Sequence, residues 1–262
     1  MATVTGSELD GRPVAPEELQ ALALTNYGSF TTMRVEDGLV RGLGLHLERV
    51  RRDARVLFGA DVETSRVKEL VRRAVPERGA ATIRVTVFDP ATDLAAPDRA
   101  SDPRVLVTRR DAAAVPSPPM SVKTVAYERD LPEVKGVGLF GALRHRRAAR
   151  LDGYDDALFV DASGAVGEGG TWNVGFFDGH DVIWPDARVL PGVTMLLLQR
   201  AHPHRIARVT PADLRGMRAA FATNAAVGVR VLRRVDGVEL DADHPVLDRL
   251  RNAYTGIAGE AV

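Results

Sequence analysis

The sequence predicts an α+β protein built as two domains, and three observations carry that expectation. Short segments of alternating apolar residues recur along the chain and meet at Asp-Gly and Ser-Gly turns, the pattern of antiparallel hairpins. Longer segments between them place apolar residues at helical spacing, several ending at glycine. Asp111 to Pro119, reading DAAAVPSPP, gathers three prolines with little apolar periodicity and reads as an extended connection. It divides the 262 residues into a small α/β domain over 1–112, a linker over 113–120 and a larger, strand-rich domain over 121–262.

In the first domain, Pro16 to Leu24 is predicted as a short helix, with proline opening its first turn. Phe30 to Val35 and Leu39 to Leu43 are predicted strands, joined at Glu36-Asp37-Gly38. Leu47, Val50, Ala54 and Leu57 recur at helical spacing, so a helix is expected over Leu45 to Phe58, with Gly59 as its cap. A second helix runs from Thr64 to Ala74 and stops before Pro76. Thr82 to Phe88 and Arg104 to Thr108 alternate as strands do. The second domain opens with a strand near Val122 to Tyr127, followed by a helix over Leu139 to Leu151 closed by Gly153. Two hairpins follow: Ala157 to Asp161 with Ala165 to Glu168, and Asn173 to Phe177 with Val182 to Trp184. A helix follows Leu190-Pro191-Gly192 as far as about Arg200, and Pro211 opens a short one near Asp213. Strands at Ala219 to Thr223 and Val229 to Val235 precede a last helix from Pro245 to about Tyr254.

Composition removes several function classes. Lys+Arg at 35 balance Asp+Glu at 35, which argues against a dominant nucleic-acid or anionic-membrane surface. Arg144 to Arg150, RHRRAAR, spreads its charges around a helix and reads as a solvated face. With no cysteine there is no disulfide, thiolate metal site or cysteine nucleophile. His202 and His204 stand two apart without a nearby carboxylate, so no metal site is expected. The opening MATVTGSELD carries acids and no apolar core of a signal peptide, and no apolar run reaches the roughly 18 residues of a membrane span. A cytoplasmic protein is the expectation. Nucleophile-elbow, zinc-protease and phosphate-loop motifs are missing as well.

Only Lys68, Lys123 and Lys135 are lysines; the other 32 basic residues are arginine. A G+C-rich genome accounts for such a bias, yet a lysine kept against it points to chemistry that arginine cannot perform. An amine loses its proton and attacks a carbonyl, whereas a guanidinium stays protonated. Lys135 lies in Leu131-Pro132-Glu133-Val134-Lys135-Gly136-Val137-Gly138, where a strand is expected to give way to a helix. Glu168 follows in Gly167-Glu168-Gly169-Gly170, at the end of a hairpin strand. Taken alone, Lys135 reads as readily as a surface lysine and Glu168 as a turn carboxylate.

Their surroundings decide between these readings. Gly153-Tyr154-Asp155-Asp156-Ala157-Leu158-Phe159-Val160-Asp161, then Val166-Gly167-Glu168-Gly169, Asn173-Val174, Trp184-Pro185 and Leu190-Pro191-Gly192-Val193-Thr194 form an ordered series. The sequence here resembles the class IV aminotransferases, the fold-type-IV pyridoxal-phosphate (PLP) enzymes. These include branched-chain and D-amino-acid aminotransferases and aminodeoxychorismate lyase. The resemblance runs from about Phe30 to Val235 and implies PLP as cofactor, small amino and 2-oxo acid substrates and a homodimer. It implies Lys135 as the amine that holds PLP in an internal aldimine and then shuttles a proton, with Glu168 as the acid facing the pyridine nitrogen. Lysine and acid are then expected on separate strands. For the phosphate it implies Arg49, in His46-Leu47-Glu48-Arg49, together with Val193, Thr194, Thr223 and Asn224. Tyr27, Phe30, Arg84 and Ala225 are implied near the substrate.

The sequence departs from the family pattern at several points. Ala225 stands where many relatives carry Ser or Thr, Gly138 and Phe140 replace polar or tyrosyl groups, and Met195 replaces an arginine. The function expected first is amino transfer between an amino acid or amine and a 2-oxo acid. A lyase of the aminodeoxychorismate type, releasing pyruvate, is the alternative, and a non-catalytic binding module a further one.

Overall fold

The computed structural model describes residues 4–99 and 101–262. The chain divides into two compact units: Met1–Ala113 with Val134–Gly138 and Gly259–Val262, and Ala114–Glu133 with Leu139–Ala258. Two short segments of the later chain, one containing Lys135, thus belong to the first unit.

In the first unit, strand β1 (Val4–Leu9) and the two-residue β2 (Arg12–Pro13) precede helix α1 (Pro16–Thr25). Strands β3 (Ser29–Glu36) and β4 (Leu39–Val40) follow, then helices α2 (Leu43–Phe58) and α3 (Thr64–Ala74). Strands β5 (Ala80–Phe88) and β6 (Arg104–Asp111) complete the long run of this unit. The strand expected over Leu39 to Leu43 is cut to two residues. Gly42, at φ 73°, takes a left-handed conformation that turns the chain directly into α2 at Leu43. Gly59, at φ 63°, ends α2 as expected, its N–H bonded to the Arg55 carbonyl. β3, β5, β6 and β1 are antiparallel neighbours, with β4 and β2 outside them. One sheet face, carrying Met33, Val35, Ile83, Val85 and Val87, meets Val50 and Ala54 of α2 and Val67 and Val71 of α3 in a buried core. Strand alternation puts Phe30, Arg84 and Thr86 on the opposite face.

The second unit opens with β7 (Met120–Ala126), α4 (Phe140–Leu151), β8 (Asp156–Val160) and β9 (Val166–Gly169). It continues with β10 (Asn173–Phe177), β11 (Val182–Pro185), α5 (Val193–Ala201) and β12 (Arg205–Ala207). After a single 3-10 turn at Asp213–Gly216 come β13 (Ala219–Asn224), β14 (Gly228–Val235), β15 (Val238–Glu239) and α6 (Pro245–Thr255). β16 (Glu260–Ala261) returns to pair with β4 in the first sheet. Strands β10, β13, β14, β7, β8 and β9 are successive neighbours, and β9 pairs back onto β10, so the six close into a ring. Alternation divides their side chains into two cores: Phe176, Ala220, Ala222 and Leu232 fill one face. Phe177, Phe221, Val229 and Val231 meet Met195 and Leu198 of α5 and Val246 and Leu250 of α6 on the other.

Candidate active site

Lys135 is not on a strand, contrary to the sequence expectation. Val134 to Gly138 forms a loop laid along the start of β3, with Gly136 bridged to Ser29. The Phe30 N–H donates to the Lys135 carbonyl at 2.8 Å, and the Val137 N–H to the Gly28 carbonyl at 2.9 Å. The Lys135 N–H donates to Asp53 Oδ2 at 3.0 Å. Val134 is buried, and past Lys135 the glycines Gly136 and Gly138 have no side chains to pack, so main-chain bonds hold that part of the loop.

The Lys135 Nζ lies 4.8 Å from the centre of the Phe30 ring, and the Arg84 guanidinium carbon 3.6 Å from that same centre. Burial, with Arg110 as a neighbouring like charge, pulls the Arg84 pKa down to about 10. Arg84 is therefore still cationic near neutral pH but poorly hydrated, which favours an anionic partner. Its Nε donates to Thr86 Oγ1 at 3.2 Å. Tyr27 donates its hydroxyl to the Leu57 carbonyl at 2.8 Å and packs edge-on against Phe58. Its phenol group therefore anchors the end of α2.

Arg49 and His46 lie one turn apart on α2, and both are buried. His46 shares a 2.7 Å hydrogen bond between Nδ1 and Thr31 Oγ1. Burial first, then the charges of Arg49 and Lys135, hold its pKa well below the usual imidazole value. His46 is thus a neutral ring.

In the second unit, register sets one row of side chains. Glu168 on β9 pairs with Asn173 on β10, and Asn173 pairs with Thr223 on β13, so all three lie on one sheet face. Two strand spacings, about 10 Å, separate the row's ends. Glu168 is buried, and its Oε1 accepts from Arg129 Nε at 2.9 Å while Oε2 accepts from the Leu190 N–H at 3.2 Å. Arg129 also donates to the Pro132 carbonyl. Asn173 Nδ2 donates to the Leu190 carbonyl at 2.8 Å, pinning the loop that leads into α5. A Cβ on Gly192 would stand 1.9 Å from Asn173 Oδ1, so any side chain there would displace the Asn173 amide from its bond to Leu190.

Val193 and Thr194 open α5, which no side chain caps, and the first N–H groups of a helix have no partner within it. The Thr194 and Thr223 hydroxyls are buried and have no hydrogen-bond partner among the described residues. Such orphaned donors are rare in a folded interior, and these two are open to a polar ligand. With the helix N-terminus they form a donor set suited to phosphate oxygens. Asn224 is differently employed: its Oδ1 accepts from the Ala226 and Val227 N–H groups at 3.0 and 3.1 Å and shapes the turn into β14. Ala225, half-buried in that turn, offers no hydroxyl.

Sequence reasoning did not single out Arg129 or Asp53. Arg129 precedes Lys135 by six positions in ERDLPEVKG, but nothing local ties it to Glu168. Asp53 carried a usable signal, being a carboxylate on the helix face that also bears Arg49.

Comparison with known families places this arrangement. The model for amino-transferase class IV matches residues 28–235, well over half of the chain, and the protein belongs to that family of enzymes. Among solved structures, a branched-chain aminotransferase from the archaeon Thermoproteus uzoniensis, crystallised with norvaline, is similar at 20% identity. The match covers 97% of this chain and 94% of that one, with a TM-score of 0.82. A Legionella pneumophila protein proposed to be a 4-amino-4-deoxychorismate lyase is similar at 22% identity, over 88% and 91% of the two chains, with a TM-score of 0.77. A hypothetical aminotransferase from Mycobacterium tuberculosis in PLP-bound form is similar at 19% identity, over 95% and 98%, also with a TM-score of 0.77. No curated protein matches. No helix among the described residues is long and apolar enough to cross a membrane.

Proposed function

We propose that the protein is an aminotransferase moving an amino group between an amino acid, or an amine, and a 2-oxo acid. The observation that carries this reading is the pairing of Arg84 and Lys135 over one aromatic ring, 3.6 and 4.8 Å from its centre. A dehydrated guanidinium beside a reactive amine suits a substrate with a carboxylate next to its amino or oxo carbon.

The cofactor is pyridoxal 5'-phosphate, which when bound supplies an aldehyde and a conjugated ring that accepts electron density. The donor set described above, Thr194, Thr223 and the amides at the start of α5, suits its phosphate, and the resemblance assigns Arg49 to the same group. In this reading Lys135 Nζ would hold the cofactor at its aldehyde and would take and return the proton at the substrate Cα. The Glu168 carboxylate, oriented by Arg129 and the Leu190 N–H, supplies the anion for a protonated ring nitrogen. Arg84 receives the substrate carboxylate, and Phe30 supports both Arg84 and Lys135. Asn224 acts through the shape of its turn, and Tyr27 through its ring. We take the first unit as the small domain and the second as the main cofactor-binding domain, the protein as a homodimer, and its place as the cytoplasm.

The test is incubation of the PLP form with a panel of L- and D-amino acids, aromatic amines and aminodeoxychorismate, following cofactor absorbance and oxo product. Conversion to the pyridoxamine form, reversed by a 2-oxo acid, is the expected result. Pyruvate release without any oxo acid establishes the lyase instead. Lys135→Ala is expected to abolish turnover with the fold intact, and near-normal activity would show that another amine reacts.

A further inference from the structure

α2 carries more buried polarity than a core helix needs. At about 100° per residue, Leu43, Val50 and Ala54 form one buried apolar stripe. His46, Arg49 and Asp53 fall on an adjacent stripe about 60° wide, and they too are buried. Arg49 is assigned to the cofactor above and His46 bonds Thr31, but Asp53, with none of its surface exposed, has no part in that chemistry.

A carboxylate enclosed in this way persists only where donors match both oxygens. Asp53 divides them. Oδ1 accepts from Arg52 Nη2 at 2.7 Å and Nε at 3.0 Å, and Oδ2 accepts from the Lys135 N–H at 3.0 Å. The loop around Lys135 explains why that acceptor is needed. The bridge to β3 uses the Lys135 carbonyl and the Val137 N–H, on either side of Gly136. The Lys135 N–H takes no part in that bridge and is directed at Asp53 Oδ2.

We propose that Asp53 is a positioning residue for Lys135, clamping its main chain from α2 while β3 holds the carbonyl side, so that the amine is presented from a fixed point. The proposal rests on Lys135 as the reactive amine. Arg52 is the brace, reaching from a partly exposed position to neutralise the buried charge and orient its second oxygen toward the loop. The clamp matters because the chain after Lys135 is Gly136-Val137-Gly138, where two of three residues have no side chain to pack, while buried Val134 holds only the other side. Freed from Asp53, the loop would sample many backbone conformations, and the amine would spend little time where an aldehyde can meet it.

The test uses cofactor-free full-length protein in the wild-type, Asp53→Ala, Asp53→Asn and Arg52→Ala forms. Amide hydrogen exchange is followed at Lys135, on α2 and on β3, and the rate at which borohydride fixes added pyridoxal phosphate to Lys135 is measured. Asp53→Ala should speed exchange at Lys135 about tenfold, leave α2 and β3 protected, and slow fixation about fivefold. Asp53→Asn keeps an acceptor oxygen and should restore both readouts to within about twofold of wild type. Unchanged exchange at Lys135 in Asp53→Ala overturns the proposal. So does loss of protection spread evenly over α2 and β3, or a failure of asparagine to rescue. If Asp53→Ala does not fold, Arg52→Ala decides: about threefold faster exchange confined to the Lys135 segment supports the clamp, and unchanged exchange overturns it. Fixation that persists in Lys135→Ala overturns the reading of Lys135 itself, a result distinct from failure of the clamp.

Discussion

Replacing Arg129 by methionine removes the guanidinium that grips Glu168, and the cofactor-free protein should lose about 3 kcal/mol of stability. The figure follows from geometry. Arg129 Nε and Nη2 lie 2.9 and 2.8 Å from Glu168 Oε1, and the two side chains are only 17% and 9% exposed. Removing one partner of a buried ion pair costs about 3–5 kcal/mol, and the residual exposure of the arginine puts this pair at the lower end. Glu168→Met leaves a guanidinium without its counter-ion and should cost about 2 kcal/mol, because Arg129 keeps the Pro132 carbonyl and reaches water more easily. The double variant removes both charges and should lose about 2 kcal/mol less than the sum of the singles. Urea unfolding read by tryptophan fluorescence is the assay, since Trp172 and Trp184 are buried in the second unit and report on it. Additive losses, within about 0.5 kcal/mol, would refute the pair as the device that holds Glu168.

Two further outcomes are expected. Thr194→Val and Thr223→Val each remove a buried hydroxyl that has no partner among the described residues, so neither should destabilise the cofactor-free protein. Each should weaken pyridoxal phosphate binding about tenfold in an absorbance titration, and an unchanged affinity would dismiss that threonine as a phosphate donor. His46 is neutral when folded, while in the unfolded chain it titrates near 6.5. As the pH falls through that value the unfolded state binds a proton and the folded state does not, so stability declines by about 1.4 kcal/mol per pH unit. His46→Gln should flatten that slope in unfolding curves taken between about pH 7 and 5, and an equal slope in both proteins would show that His46 takes up its proton in place.

Elements with strong local signals were legible in the sequence. α3 covers the residues its pattern predicts, and Asp178-Gly179 joins β10 to β11 where Asp-Gly calls for a hairpin. The strands that escaped are those whose own residues say little. β1 reads VTGSEL, with glycine and serine where a strand prefers branched or aromatic residues, and it exists because β6 offers an edge along Thr108, Val107 and Leu106. β12, RIA, is made by lying parallel to β11, and β16 by pairing with β4 more than two hundred positions earlier. The shortening of β4 has a different origin. Leu39 to Leu43 has strand-like composition, but the left-handed Gly42 converts its last residues into a helix start, and composition does not register a dihedral angle.

The site divides along the same line, between what a motif carries and what the closed fold assembles. Lys135, Glu168, Arg49 and Thr194 stood out because they fall at the positions that the resemblance to a known family implies. What supports them did not stand out, since each supporting contact joins positions far apart: Lys135 to Asp53 over 82 residues, and Glu168 to Arg129 over 39. The row Glu168, Asn173, Thr223 depends on β9 closing onto β10 and on the register of β13, and a slip of one residue in either pairing would turn a side chain to the other face. Asp53 is the exception. A helix predicted from Leu47, Val50, Ala54 and Leu57 already identifies its buried side, and an aspartate four residues after Arg49 falls beside that stripe. A carboxylate there needs a donor from another part of the chain, because α2 satisfies its own interior amides. The sequence therefore held the question of what Asp53 binds, and the loop laid along β3 supplies the answer in the main chain of Lys135.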